Sequence, residues 1–120
     1  MNTLYILEDD PLLGPTMQDL VELTQPDCKI ELFTFFADFI AAIDANPPGA
    51  AIVDLNVPDR AGPDIVTELR RVFPGRPVFV YSGDADSLMR VRNLNLPRVT
   101  TGFKTESFNL VNDWLGHAFH

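Results

Sequence analysis

Short apolar runs alternate with segments of helical periodicity along the whole chain, and this confines it to an α/β architecture on a mainly parallel sheet. Strand character is expected at about residues 3–8, 29–34, 50–54, 77–82 and 98–103, and helical patterns fill the intervals near 15–24, 36–46, 63–73, 86–94 and 106–117. The second helix carries Phe36, Phe39, Ile40 and Ile43 at offsets of three and four, which gives it one apolar face to lay on a sheet. The third repeats the pattern with Ile65, Val66, Leu69 and Val72, and the fifth with Phe108, Val111, Trp114 and Leu115. The run AAIVDL is almost continuously apolar, as a strand covered on both faces must be, so it belongs in the middle of the sheet. Gly14 and Pro15 interrupt the opening of the first helix. Proline is tolerated only near a helix start, so regular helix is expected from around Pro15 rather than directly after Asp10.

A length of 120 residues suits one domain, 1–120, with a single fold. Pro47-Pro48-Gly49, Pro74-Gly75 and Asn95-Leu96-Pro97 read as connections between elements. A net charge of −8 argues against direct nucleic-acid binding, because nothing forms the basic stripe that a phosphate backbone requires. Cys28 is the one cysteine and has no partner for a disulfide or a metal motif, so it reads as a plain thiol. No apolar stretch approaches the roughly 20 residues of a membrane span, and no signal peptide opens the chain, so a cytoplasmic location is expected. A chain that starts at Met1 and carries no effector segment is expected to be a stand-alone module working through protein contacts, with a piece of a longer regulator as the alternative.

Four of the strand-like runs end on reactive polar residues: Glu8-Asp9-Asp10 after TLYIL, Asp54 after AAIV, Ser82 after VFVY and Lys104 after VTTGF. Parallel strands would bring these side chains to one carboxyl edge, where open α/β sheets place their ligands. Glu8, Asp9 and Asp54 crowded together raise one another's proton affinity unless a cation joins them. Without histidine or cysteine in the set, Mg²⁺ fits best, since it takes one or two carboxylates together with water and a phosphate oxygen. Asp54 is then the nucleophile, because a carboxylate can attack phosphorus without a general base. Lys104 would neutralise phosphoryl oxygens, and the Ser82 hydroxyl would donate to one of them. His117 and His120 read as incidental. Asp84 and Asp86 read as caps of the fourth helix, with Asp84 near enough to Ser82 to influence hydrolysis. Arg70, Arg71, Arg90 and Arg92 read as solvated faces or partner contacts, and Phe103 as core.

From its first strand to its last helix the chain resembles the receiver domain of bacterial two-component response regulators. The resemblance rests on Ile6-Leu7-Glu8-Asp9-Asp10, on Asp54-Leu55-Asn56-Val57-Pro58-Asp59-Arg60-Ala61-Gly62, on Tyr81-Ser82-Gly83 and on Lys104. It implies a flavodoxin-like fold: a five-stranded parallel sheet in order 2-1-3-4-5 with helices on both faces. It also implies that Asp54 takes phosphate from a phosphohistidine on a histidine kinase or phosphotransfer protein. Asp9 and Asp54 would bind Mg²⁺ directly with the Asn56 carbonyl, beside Glu8, and the output would be contact with a downstream protein. The domain would catalyse its own Mg²⁺-dependent phosphorylation and dephosphorylation without being a conventional enzyme.

Two positions depart from the family pattern. Thr105 stands where a proline in a cis peptide usually follows the lysine, and a cis bond before a non-proline costs ~2.5–4 kcal/mol, so a trans bond and an altered path into the fifth helix are expected. Thr101 replaces the aromatic residue that usually swings inward on activation. The signal is therefore expected to leave through residues 83–90 or with Tyr81 or Phe103 involved, the alternative being an activation only weakly coupled to the fourth helix. These departures also allow a receiver-like interaction module that is never phosphorylated. A haloacid-dehalogenase-like phosphatase would want an acid where Asn56 stands, and a flavodoxin-like cofactor binder would want a phosphate cradle where Glu8-Asp9-Asp10 stand.

Overall fold

A computed structural model describes residues 2–119; Met1 and His120 lie outside the described residues, and with them the reading of His120. Five strands, β1 (Thr3–Leu7), β2 (Lys29–Phe33), β3 (Ala50–Asp54), β4 (Val78–Ser82) and β5 (Val99–Phe103), alternate with α1 (Leu13–Thr24), α2 (Phe36–Ala45), α3 (Asp64–Val72), α4 (Ala85–Asn93) and α5 (Ser107–Ala118). The strands form one parallel sheet in the order β2-β1-β3-β4-β5. Asn56–Val57 and Arg60–Ala61 add a small antiparallel ladder after β3, and a 3₁₀ turn at Lys104–Glu106 leads into α5. Among the described residues no helix is long and apolar enough to cross a membrane.

The continuous apolar character of the central strands has a direct cause. Successive side chains of a strand point to opposite faces, and here both faces are covered by helices. Tyr5, Leu7, Ala51, Val53, Val78 and Val80 enter one core with Phe39, Ile43, Ile65 and Leu69 of α2 and α3. Leu4, Ile6, Ala50, Ile52, Phe79 and Tyr81 enter the other with Met17, Val21, Val111, Trp114 and Leu115 of α1 and α5. Every residue of β3 and β4 is buried, as expected for the middle of the sheet.

Three local features differ from the sequence expectation. Helix α1 starts at Leu13, with Pro15 inside its first turn, where the missing N–H has no intrahelical acceptor to lose. Asp10 makes the early start possible, because its Oδ1 accepts the N–H groups of Leu12 at 2.8 Å and Leu13 at 3.0 Å. In α5 the buried face is Ser107, Val111, Trp114, Leu115 and Ala118, and Phe108 lies outside it, 40% exposed. The Ser107 hydroxyl donates to the Lys104 carbonyl at 2.8 Å, so the 3₁₀ turn sets the rotation of the helix. Phe103, expected in the core, ends an edge strand and is 44% exposed. At Gly102 a Cβ would fall 2.6 Å from Leu110 Cδ1 and 3.0 Å from Phe79 Cζ, so the bare backbone lets α5 and β4 close on this edge.

Phe39 is fully buried and meets Phe33 edge-on at 5.8 Å between ring centroids. Phe39→Ala should cost about 3–5 kcal/mol of stability through lost transfer energy and a residual cavity. Urea unfolding followed by circular dichroism will show the midpoint fall at an unchanged slope.

Candidate functional site

Register converts the strand ends into a site. β1 and β3 pair Leu7 with Val53, so the next step sets Glu8 beside Asp54; β3 and β4 pair Asp54 with Tyr81; β4 and β5 pair Ser82 with Phe103, one residue before Lys104. Glu8, Asp54, Ser82 and Lys104 thus line one carboxyl edge of the sheet. Glu8 is 2% exposed and Asp54 1% exposed, which would be costly for two neighbouring carboxylates without donors around them.

Those donors are present. The Lys104 ammonium lies 3.0 Å from Asp54 Oδ2 and 3.5 Å from Glu8 Oε1. Asp54 Oδ1 accepts the Asn56 N–H at 3.2 Å, Glu8 Oε1 accepts the Tyr81 hydroxyl at 2.7 Å, and Glu8 Oε2 accepts the Asp10 N–H at 3.1 Å. Partial burial lowers the proton affinity of Lys104, but its hydrogen bond to Asp54 and the charges of Asp54 and Glu8 outweigh that, so the ammonium is held above its usual range. The Tyr81 hydroxyl is pushed far up by burial and then by the charge of Glu8, so it is a neutral donor at any ordinary pH.

Asp9, which is exposed, completes the acidic set. One oxygen from each of Glu8, Asp9 and Asp54 lies within 4.8 Å of the others. Desolvation, and after it a hydrogen bond to Glu8 and the charge of Glu8, raise the Asp9 carboxyl against the opposing charge of Lys104. All three donors are hard carboxylate oxygens with no histidine or thiolate among them. This suits a small divalent cation such as Mg²⁺, and the residues fit the ion that the sequence implies. Asp10 is not part of the set: its carboxylate caps α1, and the N–H groups of Leu13 and Leu12 hold it below its usual range.

Beside the carboxylates lies an open cleft of about 530 Å³ lined by Asp54, Asn56, Ser82, Gly83, Asp84 and Lys104 among others. Ser82 is 5% exposed, and its Oγ accepts the Asp84 N–H at 3.0 Å. Asp84 is the N-cap of α4, accepting the Asp86 N–H at 3.1 Å and the Ser87 hydroxyl at 2.7 Å, and the Ser87 and Asp86 donors hold its carboxyl low. Asp86 is no cap; it lies in the first turn and pairs with Arg90 across an exposed face.

No cis peptide occurs among the described residues, so Lys104-Thr105 is trans, as Thr105 led us to expect. The altered path does not misdirect the lysine, because the 3₁₀ turn still delivers its ammonium to Asp54. Arg70, read as solvated, is half-buried and donates to the carbonyls of Phe73 at 2.7 Å and Pro97 at 2.9 Å, tying α3 to the connection before β5. Arg71, Arg92 and His117 are exposed. Cys28 is half-buried, and burial pushes its thiol up.

Two residues carry roles that sequence reasoning missed. Asp59 reaches across to α2, which lacks a side-chain cap of its own, and accepts the N–H groups of Phe36 at 2.7 Å and Ala37 at 3.0 Å. The Ala37 and Phe36 donors hold the Asp59 carboxyl low. Arg60 beside it pairs with Glu68 and stacks over the Phe36 ring at 5.5 Å, so the loop after Asp54 is fastened to both α2 and α3. Gly62, at φ +96°, turns the chain out of that loop in a conformation that favours glycine. The other residue is Tyr81, whose hydroxyl on Glu8 was foreshadowed only by its place in VFVYS, on the same face as Phe79.

The family described as response regulator receiver domain matches residues 4–107. Response regulator protein TodT of Pseudomonas putida is 25% identical over 91 residues, covering 76% of this chain and 39% of that protein. The chain therefore spans about two fifths of the length of the curated relatives it matches. Among solved structures, a CheY-like receiver domain protein from Methanospirillum hungatei superposes with a TM-score of 0.84 at 17% identity, over 99% of this chain and 94% of that one. A DNA-binding response regulator of the LuxR family from Staphylococcus aureus gives 0.82 at 19% identity over the whole of both chains. At such identities the superpositions establish the fold.

Removing the ammonium should expose how much the acidic cluster depends on it. Lys104→Ala leaves Glu8 and Asp54 buried without their cation, at a cost of roughly 1–3 kcal/mol, below the figure for a fully buried pair because Lys104 is partly solvated. Added Mg²⁺ should raise the melting temperature of Lys104→Ala more than that of the unmodified chain. Because the folded lysine is held above its unfolded value, the pair's contribution is fully present at neutral pH. It is lost as pH climbs through the folded titration, which thermal melts across alkaline pH will read.

Proposed function

The chain belongs to the response regulator receiver family, and from that premise we propose that Asp54 is its phosphoacceptor and that residues 1–120 work as one receiver domain. The observation that carries this is the ammonium of Lys104 3.0 Å from Asp54 Oδ2, at the mouth of a cleft that also holds Ser82 and adjoins three convergent carboxylates.

In the proposed reaction an Asp54 oxygen attacks the phosphorus of a phosphohistidine on a kinase or phosphotransfer protein. The O–P bond forms as the N–P bond breaks, and the imidazole leaves with the electron pair and gains a proton. Small phosphodonors serve by the same route, with their own leaving group, and water attacking the acyl phosphate returns the carboxylate. Asp9 and Asp54 would hold Mg²⁺ with the Asn56 carbonyl, beside Glu8, and the ion supplies charge neutralisation for the transferring phosphoryl group. Lys104 is already placed to exchange its contact with the carboxylate for one with a phosphoryl oxygen, and Ser82 to donate its hydroxyl to another.

Output follows from the bond that Ser82 already makes. A hydroxyl can donate and accept at once, so it is rotation of the Ser82 side chain toward a phosphoryl oxygen, carrying Oγ away from the Asp84 N–H, that would break this bond, and Asp84 is the cap of α4. Phosphorylation would thereby loosen and re-aim the start of α4, biasing what a downstream protein meets on segment 83–90. Thr101 is half-buried on the edge strand and has no ring to move, which favours this route over a change centred on β5. A cytoplasmic site of action accords with a kinase partner.

Two measurements test this reading. Incubation with acetyl phosphate and Mg²⁺ should add the mass of one phosphoryl group to the unmodified chain and none to Asp54→Asn, whose circular dichroism should be unchanged. Equal phosphate on Asp54→Asn would overturn the assignment, and equal labelling in excess chelator would overturn the role of Mg²⁺. Amide exchange with and without beryllofluoride should then change most across 83–90. Large changes across 98–103 with none in 83–90 would refute the proposed output.

A further inference from the structure

Tyr81 touches both charges on which the site depends. It is fully buried, on the face of β4 that also carries Phe79, and it pairs in register with Asp54 of β3. Its hydroxyl donates to Glu8 Oε1 at 2.7 Å, a contact between two buried side chains 73 residues apart. Its ring lies under the Lys104 ammonium, which is 5.6 Å from the ring centroid. We propose that Tyr81 is a positioning residue of this site, fixing the Glu8 carboxylate through its hydroxyl and supporting the Lys104 ammonium with its ring. This rests on the metal and phosphoacceptor reading given above and assigns it a residue beyond those named there.

The physical case begins with Glu8. Its carboxylate lies within 4.8 Å of those of Asp9 and Asp54, so repulsion drives it out of the cluster unless something holds it. The backbone N–H of Asp10 engages Oε2, which leaves Oε1 to Tyr81 and, more distantly, to Lys104. A neutral phenol is well suited to that place: it satisfies an anionic oxygen without adding positive charge that would compete with an incoming cation. Without the hydroxyl, Oε1 has only Lys104 to turn to, so the carboxylate swings toward the ammonium and draws it away from Asp54. Groups that orient a metal-side ligand typically change metal affinity by about 10–100-fold when removed. The ring acts separately. A cation over an aromatic face is held by the ring quadrupole, and phenylalanine preserves that contact.

Tyr81→Phe therefore removes one function and Tyr81→Leu removes both, and the full chain can be tested with Mn²⁺ alone as the probe. Electron paramagnetic resonance titration without any phosphodonor should show Tyr81→Phe binding Mn²⁺ about tenfold more weakly than the unmodified chain. Phe79→Leu, on the same strand face but away from the carboxylates, should lower thermal stability and leave Mn²⁺ affinity unchanged. With acetyl phosphate, the half-saturating Mg²⁺ concentration of Tyr81→Phe should rise by a larger factor than its rate at saturating Mg²⁺ falls. Tyr81→Leu should in addition lower that saturating rate, because Lys104 loses its support. Equal or tighter Mn²⁺ binding by Tyr81→Phe, with the unmodified chain binding normally, would overturn the role of Tyr81 and leave the metal reading intact. No Mn²⁺ binding by the unmodified chain would overturn both.

Discussion

The electrostatic balance around Glu8 and Asp54 governs this structure, because two nearly inaccessible carboxylates at the ends of adjacent strands can remain there only while donors surround them. Among the described residues Lys104 supplies the single full positive charge in direct contact, and the Tyr81 hydroxyl and two backbone N–H groups supply the rest. Such an arrangement is poised rather than settled. Glu8, Asp9 and Asp54 bring three carboxylate oxygens within 4.8 Å of one another beside that one ammonium, so on the proposed reading a divalent ion would supply further positive charge. An arriving phosphoryl group would, on that reading, offer the lysine a better acceptor than the carboxylate it now holds. The same side chain therefore stabilises the resting state and is available to the reacting one.

The sheet makes this balance possible at little conformational cost. β1, β3 and β4 are adjacent and parallel, so their carboxyl ends come together without any long loop having to fold over the site. The central strands are buried on both sides by two separate cores, which holds the backbone that carries each functional group. The loop after β3 has its own restraint. Asp59 on α2 and Arg60 on Glu68 provide it, fastening the segment that contains Asn56 to the neighbouring helices.

What could be read in advance followed how local each cause was. Strand positions, the central place of AAIVDL and the convergence of Glu8, Asp9, Asp54, Ser82 and Lys104 depend on short-range periodicity and on the rule that parallel strands end together. All of these features were legible in the sequence, and the family motifs supplied the strand order. Helix α1 does not follow directly on Asp10, as Pro15 implies, but its start at Leu13, two residues before that proline, is set by the cap from Asp10, which depends on three-dimensional geometry. Phe108 and Phe103 were assigned to the core on hydrophobicity, yet a 3₁₀ turn rotates α5 and the edge position of β5 exposes its last residue. The contacts of Asp59 with α2, of Arg70 with Pro97 and of Tyr81 with Glu8 span 22 to 73 residues, and no pattern in a single sequence announces such partners.

The replacement of an aromatic by Thr101 acquires a physical meaning beside these contacts. A ring that fills and leaves a pocket can report a change at the site only if the sheet edge around it can open and close. Here the edge is drawn tight on the other face, where Gly102 lets Leu110 of α5 and Phe79 of β4 approach the β5 backbone. On the Thr101 side clefts of about 410 Å³ and 270 Å³ lie against α4 with no ring to fill them, whereas the hydroxyl of Ser82 is one hydrogen bond from the cap of α4. Helix termini are among the least costly elements to rearrange, since their first N–H groups lack intrahelical partners and depend on caps. On the proposed reading, coupling therefore runs through a change of hydrogen-bond partner at Ser82. Its strength is set by how firmly Asp84 holds the N–H of Asp86 and the hydroxyl of Ser87, and not by the packing of a side chain on β5.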